Sequence, residues 1–158
     1  MKVLVIYDSV FGNTQKIAEA IAGGFGNGGE IELLHVGAVA PEAMARRDIL
    51  VVGSPTRGFQ PTPELARLLK SLPPGTLKGT KVAAFDTRFK ADELDSAGVR
   101  FIVKTGGYAA KRIAALLQKA GGTLAAPGEG FYVEDTEGPL KAGELERASA
   151  WAQAFLAI

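Results

Sequence analysis

Asp8-Ser9-Val10-Phe11-Gly12-Asn13-Thr14 is a small polar stretch between a short apolar run, Val3 to Ile6, and an amphipathic segment. The apolar run is short and β-branched, which predicts a strand covered on both faces, as in parallel sheets. Ile17, Ile21 and Phe25 then recur at helical spacing. The first amides of a helix lack intrahelical partners and carry the positive end of its dipole, so this junction is suited to bind an anion.

The side chains of the same loop are compatible with two roles. Ser9, Asn13 and Thr14 offer short polar groups to an anion, and Gly12 lets the backbone come close. The same residue types also cap helices that bind no ligand. The loop alone therefore leaves phosphate binding and simple helix capping as equal alternatives.

Strand and helix patterns alternate along the rest of the chain, which predicts an α/β fold with a doubly wound parallel sheet. Apolar runs at residues 30–36, 49–52, 81–85 and 123–133 indicate strands two to five, the last broken at Pro127-Gly128. Five strands in this alternation favour the order 2-1-3-4-5, with helices on both faces, and residues 1–158 are expected to form one domain. The loops after strands one, three and four are then expected to meet at one edge of the sheet.

The pattern Ser-x-Phe-Gly-Asn-Thr after a Val-Leu-Val-Ile-Tyr strand resembles the phosphate loop of the flavodoxin family, which binds flavin mononucleotide (FMN). The resemblance extends to the order of elements, including residues 49–56 and 82–88. It implies that the first loop binds the phosphate and that the second and third loops enclose the isoalloxazine ring. The cofactor-binding residues implied in this way are Ser9, Val10, Phe11, Gly12, Asn13, Thr14, Pro55, Thr56, Arg57, Gly58, Phe59, Asp86, Thr87, Arg88 and Phe89.

The two ring-binding loops depart from those of many flavodoxins, which place a Trp in the second loop and a Tyr in the third. This chain has Arg57 and Phe59 in the second loop, and Arg88 and Phe89 in the third. A guanidinium group can stack on an aromatic plane, and either Phe can cover a face of the ring. If both arginines lie near the flavin, they are expected to stabilise its reduced, anionic form and to make the second reduction potential less negative.

Three further segments predict helices. A helix opened by Thr62-Pro63-Glu64, with the Thr hydroxyl as its cap, is expected to bury Leu65, Leu68, Leu69 and Leu72. A basic amphipathic helix after Gly106-Gly107 is expected to bury Ile113, Leu116 and Leu117 and to expose Lys111, Arg112 and Lys119. A last helix, Glu144 to Leu156, is expected to bury Leu145, Ala148, Ala152 and Phe155. Residues 90–107 show no clear pattern.

Composition and a few single residues exclude several classes of function. The net charge is +1, from 18 basic and 17 acidic residues, which gives no electrostatic case for a nucleic acid partner. The absence of cysteine excludes disulfides, thiolate nucleophiles and iron–sulfur ligation. The N-terminal apolar run is too short for a signal peptide and no stretch is long enough to cross a bilayer, so we expect a cytoplasmic location without membrane association.

Two apparent motifs carry no assigned function. Gly24, Gly26 and Gly29 form a G-x-G-x-x-G, but it follows a helix and precedes a strand, which is the wrong context for a dinucleotide site. His35 is the single histidine and has no visible acidic or hydroxyl companion in the sequence, so it is interpreted as a packed or edge residue.

Three interpretations of function stay open. The first is an FMN-binding electron-transfer protein that works with redox partner proteins, a reductase and an acceptor, neither of them identified. The second is an FMN-dependent oxidoreductase that acts on a quinone or another small acceptor. The third is a flavodoxin-fold module that has lost FMN and acts through protein contacts. A phospho-acceptor receiver domain is disfavoured, because only Asp8 stands at the first strand end and no Lys closely follows strand five. The sequence predicts no oligomeric state.

Overall fold

The alternating elements of the sequence form a layered α/β fold in a computed structural model that describes residues 1–89 and 108–157. The strands are β1 (Lys2–Tyr7), β2 (Glu30–His35), β3 (Ile49–Pro55), β4 (Lys81–Arg88), β5 (Thr123–Leu124) and β6 (Glu129–Tyr132). The α-helices in the described ranges are α1 (Asn13–Gly24), α2 (Pro63–Lys70), α3 (Ala109–Lys119) and α4 (Glu144–Ala154), with 3-10 turns at Val36–Ala38, Pro41–Met44 and Phe155–Ala157. The expectations for residues 90–107 lie outside the described residues.

All strand pairs of the sheet are parallel, and the order is β2-β1-β3-β4-β5, as the sequence predicts. The fifth strand is broken, also as predicted: β5 and β6 each pair with β4, one near its start and the other near its end. Parallel pairing without gaps brings the carboxyl ends of β1, β3 and β4 to one edge. Tyr7 stands opposite Gly53, which in turn stands opposite Phe85.

Both faces of the sheet are covered, which explains why β1 and β3 are continuous apolar runs rather than alternating ones. Leu4, Ile6, Leu50 and Val52 pack on one face against α2 and α3, whereas Val3, Val5 and Val51 pack on the other against α1 and α4. Gly53 makes a close contact possible within the second layer, because the ring of Phe85 occupies the space where a Cβ would stand. The packed sheet thus determines where its loops begin at the edge.

Two helix predictions need correction. Leu145 is 43% exposed, although we expected it to be buried. The buried face of α4 begins with Glu144 and continues through Ala148 and Ala152, so Leu145 lies one residue round the helix from that face. Arg112 of α3 is not simply solvated, because its Nε donates a hydrogen bond to the carbonyl of Phe59 at 2.9 Å. The remaining predicted inward residues are buried, apart from Leu68 and Leu116, which are partly buried against the core.

Among residues 1–89 and 108–157, no helix has the length and apolar character that crossing a membrane requires.

Candidate functional site

The loops after β1, β3 and β4 enclose a cavity of about 350 Å³ at the carboxyl edge of the sheet. Its wall is mostly apolar and includes four aromatic residues and two arginines, with no carboxylate. The lining residues are Val10, Phe11, Pro55, Thr56, Arg57, Gly58, Phe59, Arg88, Phe89, Tyr108, Val133 and Thr136. The predicted convergence of three loops is therefore confirmed as geometry, whereas Ser9, Gly12, Asn13, Thr14, Asp86 and Thr87 lie beside or beneath the cavity.

The first loop leads into α1 through Gly12, whose φ of 93° is in the left-handed region that favours glycine. No side chain caps the helix at that position. Ser9 Oγ accepts a hydrogen bond from the N–H of Gly12 at 3.1 Å and a longer one from Gln15 at 3.4 Å. The N–H groups of Phe11, Asn13 and Thr14 have no acceptor within the part of the chain that the structure describes. These amides form a group of donors that suits an oxyanion.

Asp8 holds this loop to two neighbouring elements. Its Oδ2 accepts a buried hydrogen bond from Thr62 Oγ1 at 2.6 Å, and its Oδ1 accepts from the N–H of Ser9 at 2.8 Å. His35 Nε2 lies 3.3 Å from the same Oδ1, while Nδ1 accepts from Gly37 N–H. The interpretation of His35 as a residue without an acidic companion is wrong, and so is that of Thr62 as a hydroxyl cap, because its hydroxyl is donated to Asp8.

Two further contacts fix the first loop from the side of α1. The hydroxyl groups of Thr14 and Thr87 lie 2.9 Å apart in the interior, so the start of α1 is joined to the end of β4. The third loop was expected at residues 86–89, but β4 continues through Arg88. Asn13, which is 8% exposed, donates its Nδ2 hydrogen to the carbonyl of Glu137 at 3.0 Å. The side chains of Asn13 and Thr14 are thus bonded within the protein.

The second loop makes a tight turn that presents Arg57 and Phe59. Arg57 and Gln60 exchange two backbone hydrogen bonds, and the central residues Gly58 and Phe59 have φ angles of 55° and 66°. Two positive φ angles define a type I′ turn, which is costly for a residue such as Phe59. The bond from Arg112 to the Phe59 carbonyl stabilises this conformation. Arg57 itself is exposed and forms no ion pair with any described residue.

Asp86 is the fully buried polar centre below the cavity. It accepts two hydrogen bonds from Arg88, at 2.6 and 2.7 Å, and one from the N–H of Ala110 at 2.8 Å. Thr56 contributes a further side-chain hydrogen bond. Burial raises the pKa of the Asp86 carboxyl above its ordinary value of 3.8, although these donors oppose the shift. A single carboxylate therefore joins the second loop, the end of β4 and the start of α3.

Arg88 is not the free positive charge that we expected. Its guanidinium is paired with Asp86 and lies over the ring of Tyr108, with Cζ 3.8 Å from the ring centroid. The missing side chain of Gly130 leaves the room that this arrangement needs, since a Cβ there would overlap the guanidinium. Among the described residues, Arg57 is therefore the cavity-lining arginine whose charge is uncompensated.

Tyr108 is a site residue that the sequence reasoning missed. It lines the cavity and its hydroxyl donates to the carbonyl of Phe89 at 3.2 Å. It directly precedes α3, and the hydrogen bond from Ala110 N–H to Asp86 holds the start of that helix at the end of β4. The available signal was the helix predicted to follow Gly106-Gly107. Val133 and Thr136, which follow β6 at the same edge of the sheet, also line the cavity and were also missed.

The residues of the cavity fit the group that the sequence resemblance implies. Four aromatic side chains, Phe11, Phe59, Phe89 and Tyr108, can face a flat heterocycle, while the free amides of the first loop can bind a phosphate. No cluster of His, Asp and Glu suited to a metal ion occurs in residues 1–89 and 108–157. The aromatic wall and the free amides are thus suited to an aromatic anion.

Comparison with known proteins supports the same interpretation. Residues 5–151 match the protein family described as Flavodoxin. A flavodoxin of Aquifex aeolicus (strain VF5) is 49% identical over 57 residues, which are 35% of this chain and 31% of that protein. The matched region thus spans about a third of the length of that curated relative.

Solved flavodoxin structures, two from Bacillus cereus among them, share the fold over almost the whole chain. Oxidised Flavodoxin 1 from Bacillus cereus is similar with a TM-score of 0.77 and 20% identity, covering 99% of this chain and 98% of that one. Oxidised Flavodoxin 2 from the same organism has a TM-score of 0.72 and 26% identity, with 99% of each chain covered.

Proposed function

The chain belongs to the flavodoxin family, and we propose on this basis that it binds FMN and transfers electrons between redox partner proteins. Members of the family bind FMN. The observation that supports the proposal most is the meeting of three loops around one aromatic cavity, next to a helix start with free amides. A cytoplasmic location is part of the proposal and rests on the sequence alone.

The first loop is proposed to bind the phosphate. The N–H groups of Phe11, Asn13 and Thr14 are available donors, and Ser9 Oγ, which accepts from Gly12, still has its own proton to donate. Gly12 keeps the loop in the left-handed conformation without a Cβ. Backbone amides at a helix start bind phosphate through both hydrogen bonds and the helix dipole.

The remaining lining residues are proposed to hold the isoalloxazine ring. Pro55, at the end of β3, and Thr56 and Gly58 of the second loop line the cavity, and Phe59 and Phe89 add aromatic surface to its wall. Asp86 and Thr87 act from below, since both side chains are buried in contacts that fix Arg88 and Thr14. These residues orient the cofactor and exclude water from it.

Bound FMN would supply the electron chemistry, so the protein needs no catalytic base or nucleophile of its own. What the chain contributes is the electrostatic environment. Arg57 is the cavity-lining cation without an ion pair among the described residues, whereas the charge of Arg88 is balanced by Asp86. The expected influence on reduced flavin therefore rests on Arg57.

The first experiment compares binding of FMN and riboflavin by fluorescence quenching, with absorption spectra of the complexes. Wild-type protein is expected to bind both flavins, and FMN more tightly, because riboflavin lacks the phosphate. Gln15→Glu adds a negative charge to the exposed first turn of α1. At about 1 kcal/mol of repulsion it should weaken FMN binding by roughly fivefold and leave riboflavin binding unchanged.

Gln153→Glu is the matched control, since it makes the same chemical change at an exposed position on α4. It should change the affinity for neither FMN nor riboflavin. A protein that takes up neither flavin at micromolar concentration would contradict the proposed function. If Gln15→Glu weakens both flavins equally, the phosphate does not lie at the start of α1.

A further inference from the structure

The segment after β6 reaches the cofactor cavity as a fourth element, besides the three loops that the sequence predicts. We define the β6 loop as residues 133–140. Val133 and Thr136 of this loop line the cavity. Neither residue belongs to the phosphate loop or to the two proposed ring-binding loops.

The β6 loop is a compact unit with its own hydrogen bonds. The N–H of Glu134 donates to the carbonyl of Pro139 at 2.8 Å, and the N–H of Gly138 donates to that of Asp135 at 2.9 Å. At its base, the N–H of Lys141 donates to the carbonyl of Tyr132, whose own N–H donates to the buried carboxylate of Glu144. The base is therefore fixed to α4 independently of the tip.

The tip of the β6 loop is held by the first loop through Asn13. Its Nδ2 donates to the Glu137 carbonyl at 3.0 Å, across 124 residues of sequence. Gly138 packs against the same amide group, since a Cβ there would lie 2.7 Å from both Nδ2 and Oδ1 of Asn13. Asn13 is 8% exposed, so the donor side of this part-buried contact is largely out of water, whereas Glu137 on the acceptor side is exposed.

We propose that the Asn13 side chain is a positioning residue, which holds the β6 loop against the cavity so that Val133 and Thr136 complete its wall. The sequence resemblance assigns Asn13 to phosphate binding, and its backbone N–H remains available for that role. Its side chain acts on the ring end of the site. This inference rests on the proposed function for the identity of the ligand, but the contact itself exists without one.

The experiment measures the affinity of full-length variants for FMN and for riboflavin, together with hydrogen–deuterium exchange of the flavin-free protein. Asn13→Ala is expected to lower the affinities for FMN and for riboflavin by the same factor, roughly tenfold, because a hydrogen bond and the packing next to it are lost. In flavin-free protein the amides of Glu134 and Gly138 are expected to exchange faster, and the amide of Lys141 at the loop base is expected to be unaffected.

Gly138→Ala breaks the same contact from the opposite side and should reproduce both effects. Its φ of 102° adds a strain of its own, which Gly143→Ala controls, because Gly143 has a φ of 84° and open space around it. Glu137→Ala is a second control: it removes an exposed side chain but keeps the carbonyl that accepts the bond.

Three results would overturn the proposal. Asn13→Ala could weaken FMN and leave riboflavin unchanged, which would mean that the side chain contacts phosphate. Gly138→Ala could have the same flavin affinities and the same amide exchange rates in the β6 loop as Gly143→Ala. The amide exchange of the β6 loop could be the same in Asn13→Ala and wild type. If wild-type protein binds neither flavin, the proposed function fails, and the exchange measurement alone decides the role of Asn13.

Discussion

The hydroxyl oxygens of Thr14 and Thr87 lie 2.9 Å apart in the interior, where they join the start of α1 to the end of β4 at the sheet edge. Thr14 is 1% exposed and Thr87 is 6% exposed. One of the two hydroxyls donates a hydrogen bond to the other, so both have a partner in a place that water does not reach. This bond is a structural link between two residues that are 73 positions apart in the sequence.

Replacing Thr14 with Val is expected to lower the free energy of unfolding by about 1–3 kcal/mol, since the buried hydroxyl of Thr87 loses its partner. The double variant Thr14→Val/Thr87→Val should lose less than the sum of the two single variants, because two apolar groups then face each other. Urea unfolding of the flavin-free proteins measures both quantities. Strictly additive losses would show that the two hydroxyls do not interact.

Arg57 is expected to set part of the reduction potential of bound flavin. Arg57→Gln should shift the second potential to more negative values by roughly 20–60 mV, as expected for removing one exposed cation from near an anionic reduced flavin. Lys70→Gln, an exposed charge in the last turn of α2, is the control and should have no effect. Spectroelectrochemical titration at low and high salt tests this. An unchanged potential in Arg57→Gln would exclude a direct electrostatic effect.

Asp86 is expected to make stability depend on pH in a definite direction. Burial raises its pKa in the folded state above the value of 3.8, so at pH values between the unfolded and folded pKa the folded protein holds a proton that the unfolded chain has released. The contribution of this group to the free energy of unfolding therefore falls as pH rises from about 4 through the folded-state pKa.

Asp86→Asn removes this titration while Arg88 stays charged throughout the range. The difference in unfolding free energy, wild type minus Asp86→Asn, is expected to decrease with rising pH. Urea unfolding between pH 4 and pH 8 measures it. A difference that increases with pH would mean that the pairing with Arg88 outweighs burial.

Gly53 is expected to tolerate no side chain. Gly53→Ala places a Cβ inside the ring of Phe85, and such overpacking costs about 1–3 kcal/mol of stability or more. Phe85→Leu should be less harmful in the Gly53→Ala background than in wild type. Gly23→Ala in α1, where nothing lies near the added Cβ, is the matched control and should stabilise by about 0.5–1 kcal/mol. Equal costs of Phe85→Leu in both backgrounds would show that the ring is not the obstacle.

The order of the sheet and the meeting of three loops were predictable because they follow from apolar periodicity and from the geometry of parallel strands. The partner of His35 was not recognised, since Asp8 is 27 positions away and the contact depends on the register that pairs Tyr7 with His35. The link between Asn13 and Glu137 is harder still to predict. It uses a backbone carbonyl, which every residue has, so no side-chain pattern indicates it.

The loop after β3, the end of β4 and the start of α3 share the carboxylate of Asp86, so its partners on these three elements are not free to change one at a time. Val10 and Phe11, both 47% exposed at the cavity rim, have no such tie. Variation in a natural lineage or a mutant library is therefore expected to accumulate at the rim. Asp86, Arg88 and Tyr108 are expected to be retained together or replaced together. New partner specificities can therefore arise from substitutions at the rim that leave these interior contacts unchanged.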